Sequence, residues 1–438
     1  MTELLNEDNK EKGIENTSLK DLNIDSIRDQ HFDITIVGGG IHGAGVAQAA
    51  AAAGYSTLLL EKTGWAAGTS SKSSKLIHGG LRYLQGGHFK LVRESLHERE
   101  LLLRLAPHLV EKNEFLVPVY KRSHYRPWQL WCGLSLYYAL TGFTGNGRFR
   151  ILSKSQRAAL RGLTTQSLQS VFQYIDAQTD DAELTEAVAL SAQQLGAQLA
   201  CPVTLQSASR DSDSDSDSQN HNDNDNDNDN DNDNKTNLKL NSNGENFSAS
   251  TSILINCAGP WVNDVAKTLS PTVPTLPVEL VQGTHLVLSG PIVDRYYYLE
   301  SPSDQRAVFL LPWKGKMLLG TTETAFTGDP NQVRALDSEE AYLLDILKHY
   351  FPDAKPVVEQ RMAGLRVLPK ASGNPFRRSR EVVISRNLGP TSHYIAVYGG
   401  KLTGYRATAE KVVQLAQKTL GKRQRIANTA DLALPKIN

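Results

Sequence analysis

Residues 33–61 constrain this chain more than any other segment. Asp33–Val37 (DITIV) is a β-branched run that favours an extended strand. GGGIHGAG follows at once, then an alanine-rich stretch to Ala53 that favours helix. Gly54 ends that helix, and Thr57–Leu60 (TLLL) returns to strand. A strand, a tight turn, a helix and a second strand at this spacing read as the opening of a βαβ unit. Gly38-Gly39-Gly40-Ile41-His42-Gly43 satisfies G-x-G-x-x-G. In that motif Gly38 permits the tight turn, Gly40 lets backbone approach a pyrophosphate, and Gly43 allows close packing. The helix N-terminus then turns its amides and positive dipole toward phosphate. Glu61 lies 23 residues after Gly38, at the end of the second strand. There its carboxylate suits ribose hydroxyls and repels a 2′-phosphate. The segment predicts a bound dinucleotide.

The rest of the chain alternates helix and strand signals. Lys90–Leu105 has apolar residues at helical spacing and Ala182–Leu195 is a second helix, whereas Ala197–Leu205 and Phe247–Ile255 alternate as paired strands. Val278–Thr322 is rich in strand patterns. Ser338–Tyr350 is helical, Val382–Ser385 and Tyr394–Val397 are strands, and Tyr405–Leu420 is a final helix. The expected layout is an acidic, disordered tail over 1–30, then a first dinucleotide-binding portion over 31–120. A helical segment follows over 121–180. A second portion over 181–262 carries a disordered insertion at 208–246. A β-rich substrate unit over 263–385, a third portion over 386–425 and a tail over 426–438 complete it.

The charge balance hides an asymmetry. The chain has 438 residues with 47 Lys+Arg and 47 Asp+Glu. Asp211–Asn234 alone supplies ten Asp and no Lys or Arg, and Met1–Gln30 holds eight acidic and four basic residues. The remainder carries a net charge of +14. The Asp/Asn tract is too polar to bury anything, and it lacks the turn glycine and terminal Glu of a calcium loop, so no metal site is expected there. Nucleic-acid binding is not expected either. Three scattered cysteines (Cys132, Cys201, Cys257) make neither a disulfide framework nor a zinc site and point to a reducing cytoplasm. The N-terminus lacks a signal peptide, and no run of 18 apolar residues exists. Trp128–Phe143 is the most apolar stretch, either a core helix or a surface-lying membrane contact beside Lys121, Arg122 and Arg126.

Two further segments favour FAD over NAD. Thr69-Ser70-Ser71-Lys72-Ser73-Ser74-Lys75 offers hydroxyls to a pyrophosphate and a flavin ring. Asn256-Cys257-Ala258-Gly259-Pro260-Trp261 ends an apolar strand, where two-piece flavin folds make a late contact. The fold class expected is α/β with an α+β substrate part: a Rossmann-type FAD-binding domain interleaved with an antiparallel-sheet substrate-binding domain.

GGGIHGAG, TSSKSSKLIHGGLRYL, INCAGPWV, LLPWKGKMLLGTTET, AGLRVLP and YGGKLTGYR together resemble the FAD-dependent, quinone-linked glycerol-3-phosphate dehydrogenases, within the D-amino-acid-oxidase-like flavoproteins. The resemblance runs from about Phe32 to Leu434. It implies oxidation of sn-glycerol 3-phosphate to dihydroxyacetone phosphate by hydride transfer from C2 to flavin N5. It also implies quinone as acceptor, peripheral contact with the inner face of the cytoplasmic membrane, and leaves a homodimer open. Departures are the acidic tail, the Asp/Asn tract, Glu323 where relatives tend to have Asp, a longer basic NPFRRSR (Asn374–Arg380), and an expected absence of a further helical C-terminal domain.

That chemistry requires a held phosphate, a base for the C2 hydroxyl proton and stabilisation of the reduced flavin. By resemblance Arg82, Arg366 and Arg386 are the candidate phosphate ligands, with Tyr83 as a further substrate contact. His78 and His285 are the candidate bases. Lys401 is read as holding either the substrate or the flavin N1–C2 region. The cofactor set is Gly38, Gly40, Gly43, Glu61, Thr69, Ser70, Ser71, Ser74, Ala258, Gly259, Gly400, Lys401, Leu402 and Thr403. Two other readings remain open: an FAD-dependent oxidase of another small anion, such as a D-amino acid or 2-hydroxy acid, and a flavin-binding protein without turnover.

Overall fold

The computed structural model describes residues 18–19, 22–84, 86–210, 235–290, 292–370, 381–387 and 392–437. The first 17 residues, the Asp211–Asn234 tract and Asn374–Arg380 lie outside the described residues. In chain order the strands are β1 (His31–Val37), β2 (Thr57–Leu60), β3 (Leu76–Ile77), β4 (Val110–Tyr120), β5 (Phe149–Ile151), β6 (Leu168–Thr179), β7 (Gln198–Ala200), β8 (Thr204–Ser209), β9 (Thr236–Ser242) and β10 (Glu245–Asn256). They continue as β11 (Leu269–Ser270), β12 (Val278–Leu288), β13 (Tyr296–Glu300), β14 (Ala307–Trp313), β15 (Lys316–Gly320), β16 (Thr324–Phe326), β17 (Val358–Pro369), β18 (Val383–Arg386) and β19 (Tyr394–Tyr398). The helices are α1 (Ile41–Ala52), α2 (Phe89–Leu105), α3 (Pro127–Leu140), α4 (Lys154–Ala158), α5 (Asp181–Gln194), α6 (Val262–Lys267), α7 (Asp337–Tyr350) and α8 (Tyr405–Leu420).

The strands form two sheets, and the fold class is the expected α/β. The first runs β11-β8-β9-β10-β1-β2-β7, with β19 added on β10 and β18 on β19. Its centre is parallel: β1 lies between β10 and β2, and β19 is parallel to β10. β2 is buried throughout and β1 in all but its first residue, as a sheet covered on both faces requires. Alanines along α1 let it approach α5 and α8 closely. The second sheet runs β16-β12-β15-β14-β13-β4-β6-β3, with β17 on β12 and β5 on β6. Its pairings are antiparallel except β4 with β13.

The structure departs from the sequence reading in four places. The 1–30 tail is docked over its described end: Ile27 is buried, and the Asp29 amide donates to the Ser248 carbonyl at 2.7 Å. The proposed 208–246 insertion is too wide, because β9 is a strand between β8 and β10. Thr236, Leu238, Leu240 and Ser242 are buried while Asn237 and Lys239 face solvent, an alternation masked by the neighbouring polar tract. Phe247–Ile255 therefore pairs with β9 rather than with Ala197–Leu205. β3, β4 and β6 join the second sheet although they fall in the segments expected for the cofactor unit and the helical segment, while β18 joins the first. Finally, α3 buries only Leu134 and Tyr137. Trp128 is 67% exposed, Trp131 51% and, just beyond the helix, Phe143 66%, so this apolar stretch is not a core helix.

Candidate active site

The carboxyl ends of β1, β2, β10 and β19 meet the second sheet at β12 and β17, where open α/β sheets place their ligands. The cleft there has a volume of about 770 Å³. Sixteen of the sequence-predicted site residues line it: Gly38, Gly40, Glu61, Thr69, Ser70, Ser74, His78, Tyr83, Ala258, Gly259, His285, Arg366, Gly400, Lys401, Leu402 and Thr403.

The wall from the first sheet is made mainly of backbone. Gly38 has φ +111°, and a Cβ there would sit 2.6 Å from the Cys257 carbonyl oxygen. A Cβ on Gly43 would lie 1.8 Å from the Gly38 carbonyl oxygen, so Gly43 acts by packing and does not line the cleft. Glu61 accepts from the Gly39 amide at 2.7 Å and the Thr63 amide at 2.8 Å, which fixes the turn and orients the carboxylate at the cleft. Ser70 Oγ accepts from the Ile41 amide at 2.9 Å, and Thr69 donates to the Leu365 carbonyl at 2.7 Å. Ser71 turns away, donating to the Gly68 carbonyl, while its own carbonyl holds Lys75.

The wall from the second sheet is made of side chains. Arg366 extends from β17, with Nη1 donating to the Thr322 carbonyl at 3.2 Å and Nη2 to Thr321 Oγ1 at 3.1 Å. His285 on β12 is buried, its Nε2 2.9 Å from Ser74 Oγ and its Nδ1 without a hydrogen-bond partner among the described residues. Burial, reinforced by the charges of Arg366 and Lys75, lowers its pKa to about 3. The imidazole is therefore neutral at physiological pH. Lys75 forms a buried ion pair with Asp181 that anchors the hydroxyl-rich loop. Lys401 Nζ stands 3.7 Å from the centroid of the Tyr83 ring. The His78 amide donates to Thr403 Oγ1 at 3.1 Å, joining the two glycine-bearing segments.

Two predicted phosphate ligands lie elsewhere. Arg82 does not line the cleft; its Nη1 is 3.4 Å from Glu323 Oε1. Arg386 is exposed on β18, paired across the first sheet with Ile395, because the strand that carries it belongs to that sheet.

The sequence reading missed three supporting features. His42, inside the glycine fingerprint, lines the cleft, and its Nδ1 has no hydrogen-bond partner among the described residues. Burial lowers its pKa to about 4. Behind His78, Arg99 pairs with Asp176 at 2.9 Å, Tyr137 donates to Asp176 at 3.2 Å, and Gly79 donates to the Tyr137 oxygen at 3.1 Å. Burial raises the Asp176 pKa against the opposing pull of Arg99. Glu339, at the start of α7, binds the threonines beside Arg366.

A glycine turn without room for a Cβ, a helix N-terminus and the Glu61 carboxylate at one end, with Lys401 and the α8 approach at the other, form a donor set that fits an extended dinucleotide. The comparisons agree. Residues 33–410 match the family model described as FAD dependent oxidoreductase, and the chain belongs to that family. It is an enzyme, and FAD is its cofactor. A glycerol-3-phosphate dehydrogenase of Synechocystis sp. is 34% identical over 92% of this chain and 73% of its own length. A D-erythritol 1-phosphate dehydrogenase of Brucella abortus is 33% identical over 86% of this chain and 72% of its own length. Among solved structures, the FAD complex of the Bacillus halodurans glycerol-3-phosphate dehydrogenase superposes with a TM-score of 0.71 at 25% identity, covering 94% of this chain and 69% of that one.

Proposed function

We propose that this chain oxidises sn-glycerol 3-phosphate to dihydroxyacetone phosphate, with quinone as the final electron acceptor. The observation that carries the reading is the convergence of Arg366, Lys401 and a neutral, buried His285 on one cleft. Bound FAD supplies the two-electron acceptor for the hydrogen on C2. Arg366 presents a guanidinium fork suited to a phosphate dianion. Lys401 adds a second positive charge, and Tyr83 shapes the space beside it. His285 takes the C2 hydroxyl proton: it lines the cleft, and its Nδ1 has no hydrogen-bond partner among the described residues. Anaerobic mixing of the flavin-loaded protein with glycerol 3-phosphate should bleach the flavin absorbance. His285→Asn should abolish bleaching at unchanged flavin content, whereas loss only in His78→Asn would move the base to His78. Absence of bleaching in the parent would overturn the reading. The Brucella relative makes D-erythritol 1-phosphate the second substrate to assay, and preferential reduction by it would shift the assignment within polyol phosphates.

The acceptor site is proposed at an anionic membrane surface. Among the described residues no helix is long and apolar enough to cross a membrane. Exposed Trp128, Trp131 and Phe143, with Lys121, Arg122 and Arg126 nearby, suit an interfacial position. Vesicles containing anionic lipid should sediment the protein, and Trp128→Gln with Trp131→Gln should weaken that; equal sedimentation by both would exclude α3 as the contact.

A further inference from the structure

We infer that Glu339 is a positioning residue that sets the guanidinium of Arg366 for phosphate, although it does not itself line the cleft. The inference rests on the reading of Arg366 as the phosphate-holding group. Glu339 is 4% exposed. A buried carboxylate is costly unless its lone pairs are satisfied, and this one is satisfied by neutral donors. Its Oε1 accepts from the hydroxyls of Thr322 and Thr324, each at 2.7 Å. Its Oε2 accepts from the Thr284 hydroxyl at 2.6 Å, the Gln282 side-chain amide at 2.6 Å and the Leu336 amide at 3.1 Å. Burial opposes ionisation, but the three threonine hydroxyls outweigh it, so the Glu339 pKa is lowered and the group is a carboxylate.

The donors flank Arg366. Thr284 and Gln282 lie on β12, whose Val281 is the register partner of Arg366 on β17. Thr322 is the link to the guanidinium. Its hydroxyl proton is committed to Glu339, its Oγ1 accepts from the Thr284 amide at 2.9 Å, and its carbonyl accepts from Arg366 Nη1. With Thr322 held on both sides, its carbonyl cannot drift, and the adjacent Thr321 hydroxyl takes the other arm of the fork. Planar bidentate recognition depends on that aim more than on the charge alone.

Glu339→Gln keeps the shape but turns one acceptor into a donor that faces other donors. It should raise the KM for glycerol 3-phosphate by about tenfold, the size of one lost hydrogen bond, with kcat and bound flavin within about twofold. Thr322→Val should do the same. Thr324→Val loses a bond to the same Glu339 oxygen without touching Arg366, and should leave KM within about twofold. In an Arg366→Ala background Glu339→Gln should add nothing further. Equal effects of the two threonine variants, an unchanged KM in Glu339→Gln, or loss of flavin alongside KM would overturn the inference. Titrating inorganic phosphate against the flavin spectrum repeats the series without the organic substrate. Failure of the parent to be reduced by glycerol 3-phosphate would then sink the substrate reading alone, and phosphate affinities that ignore Glu339 would sink this one.

Discussion

The two walls of the cleft are built from different materials. On the first sheet, the ligand-facing surface is backbone: the β1–α1 turn, the residues after β10 and the Gly399–Gly400 bend. On the second, it is side chain: His285, Arg366 and their threonine and carboxylate supports. A backbone wall is specified by residues that must be small. A side-chain wall is specified by register, because β12 and β17 must pair so that residues distant in sequence share a face. At Gly38, Gly399 and Gly400 the first wall has no room for a Cβ, whereas the second should tolerate substitution of its supports with graded loss.

The sharpest way to break this comparison is to add a side chain directly behind the backbone wall, at the glycine that packs against its turn. Gly43→Val places atoms where a Cβ alone would be 1.8 Å from the Gly38 oxygen, so the turn must shift. Overpacking of this kind costs about 1–3 kcal/mol, and FAD affinity should fall about ten- to hundredfold or more. Flavin retained through gel filtration measures it. Gly145→Ala is the control, since a Cβ there meets nothing within 4 Å, and its flavin content should match the parent.

A smaller effect is expected on the other wall. Arg366→Ala removes a charged donor pair worth about 1.5–3 kcal/mol, so KM for glycerol 3-phosphate should rise about ten- to hundredfold. Bound flavin should be unchanged. If Arg366→Ala loses flavin as readily as Gly43→Val, the two walls are one structural unit and the distinction falls.

The same difference decides what the sequence could reveal. The turn at Gly38–Gly43 was legible because its steric demand sits in six consecutive residues. Lys401 was legible for a related reason: a cation between glycines and a helix start has no packing explanation. Arg366 stood out for its apolar, glycine-bearing neighbourhood, yet Arg82 shared that character and does not line the cleft, and Arg386 lies exposed on the first sheet. Local pattern could not say which sheet each arginine would join. β9 was lost beside a low-complexity tract, although its own residues alternate. Glu339 reads locally as an acidic residue in a first helical turn, and nothing near it in sequence points to the threonines at 284, 322 and 324. The Arg99–Asp176–Tyr137 network joins three elements by tertiary packing alone.

The smallest expected effect compares the two walls by one buried imidazole on each. Burial lowers the pKa of His42 to about 4 and that of His285 to about 3. In the unfolded chain both take up a proton as pH falls through about 6.5, while the native state stays neutral until well below that. The unfolded state thus binds more protons over this window. Native stability is at its full value above about pH 6.5 and falls below it, by about 1.4 kcal/mol per pH unit for each imidazole. Asp176 and Asp181, whose native pKa values burial raises, take up protons more readily in the native state than in the unfolded chain as pH falls and act in the opposite sense. Differences between variants are therefore the quantity to read. Urea unfolding of the flavin-loaded protein at pH 7.5 and 5.5 should show a loss that shrinks by about 1.4 kcal/mol in His42→Asn and again in His285→Asn. Equal reductions would mean that both walls exclude water alike. A reduction from His285 alone would mean that the backbone wall hydrates His42 and that only the side-chain wall is dry.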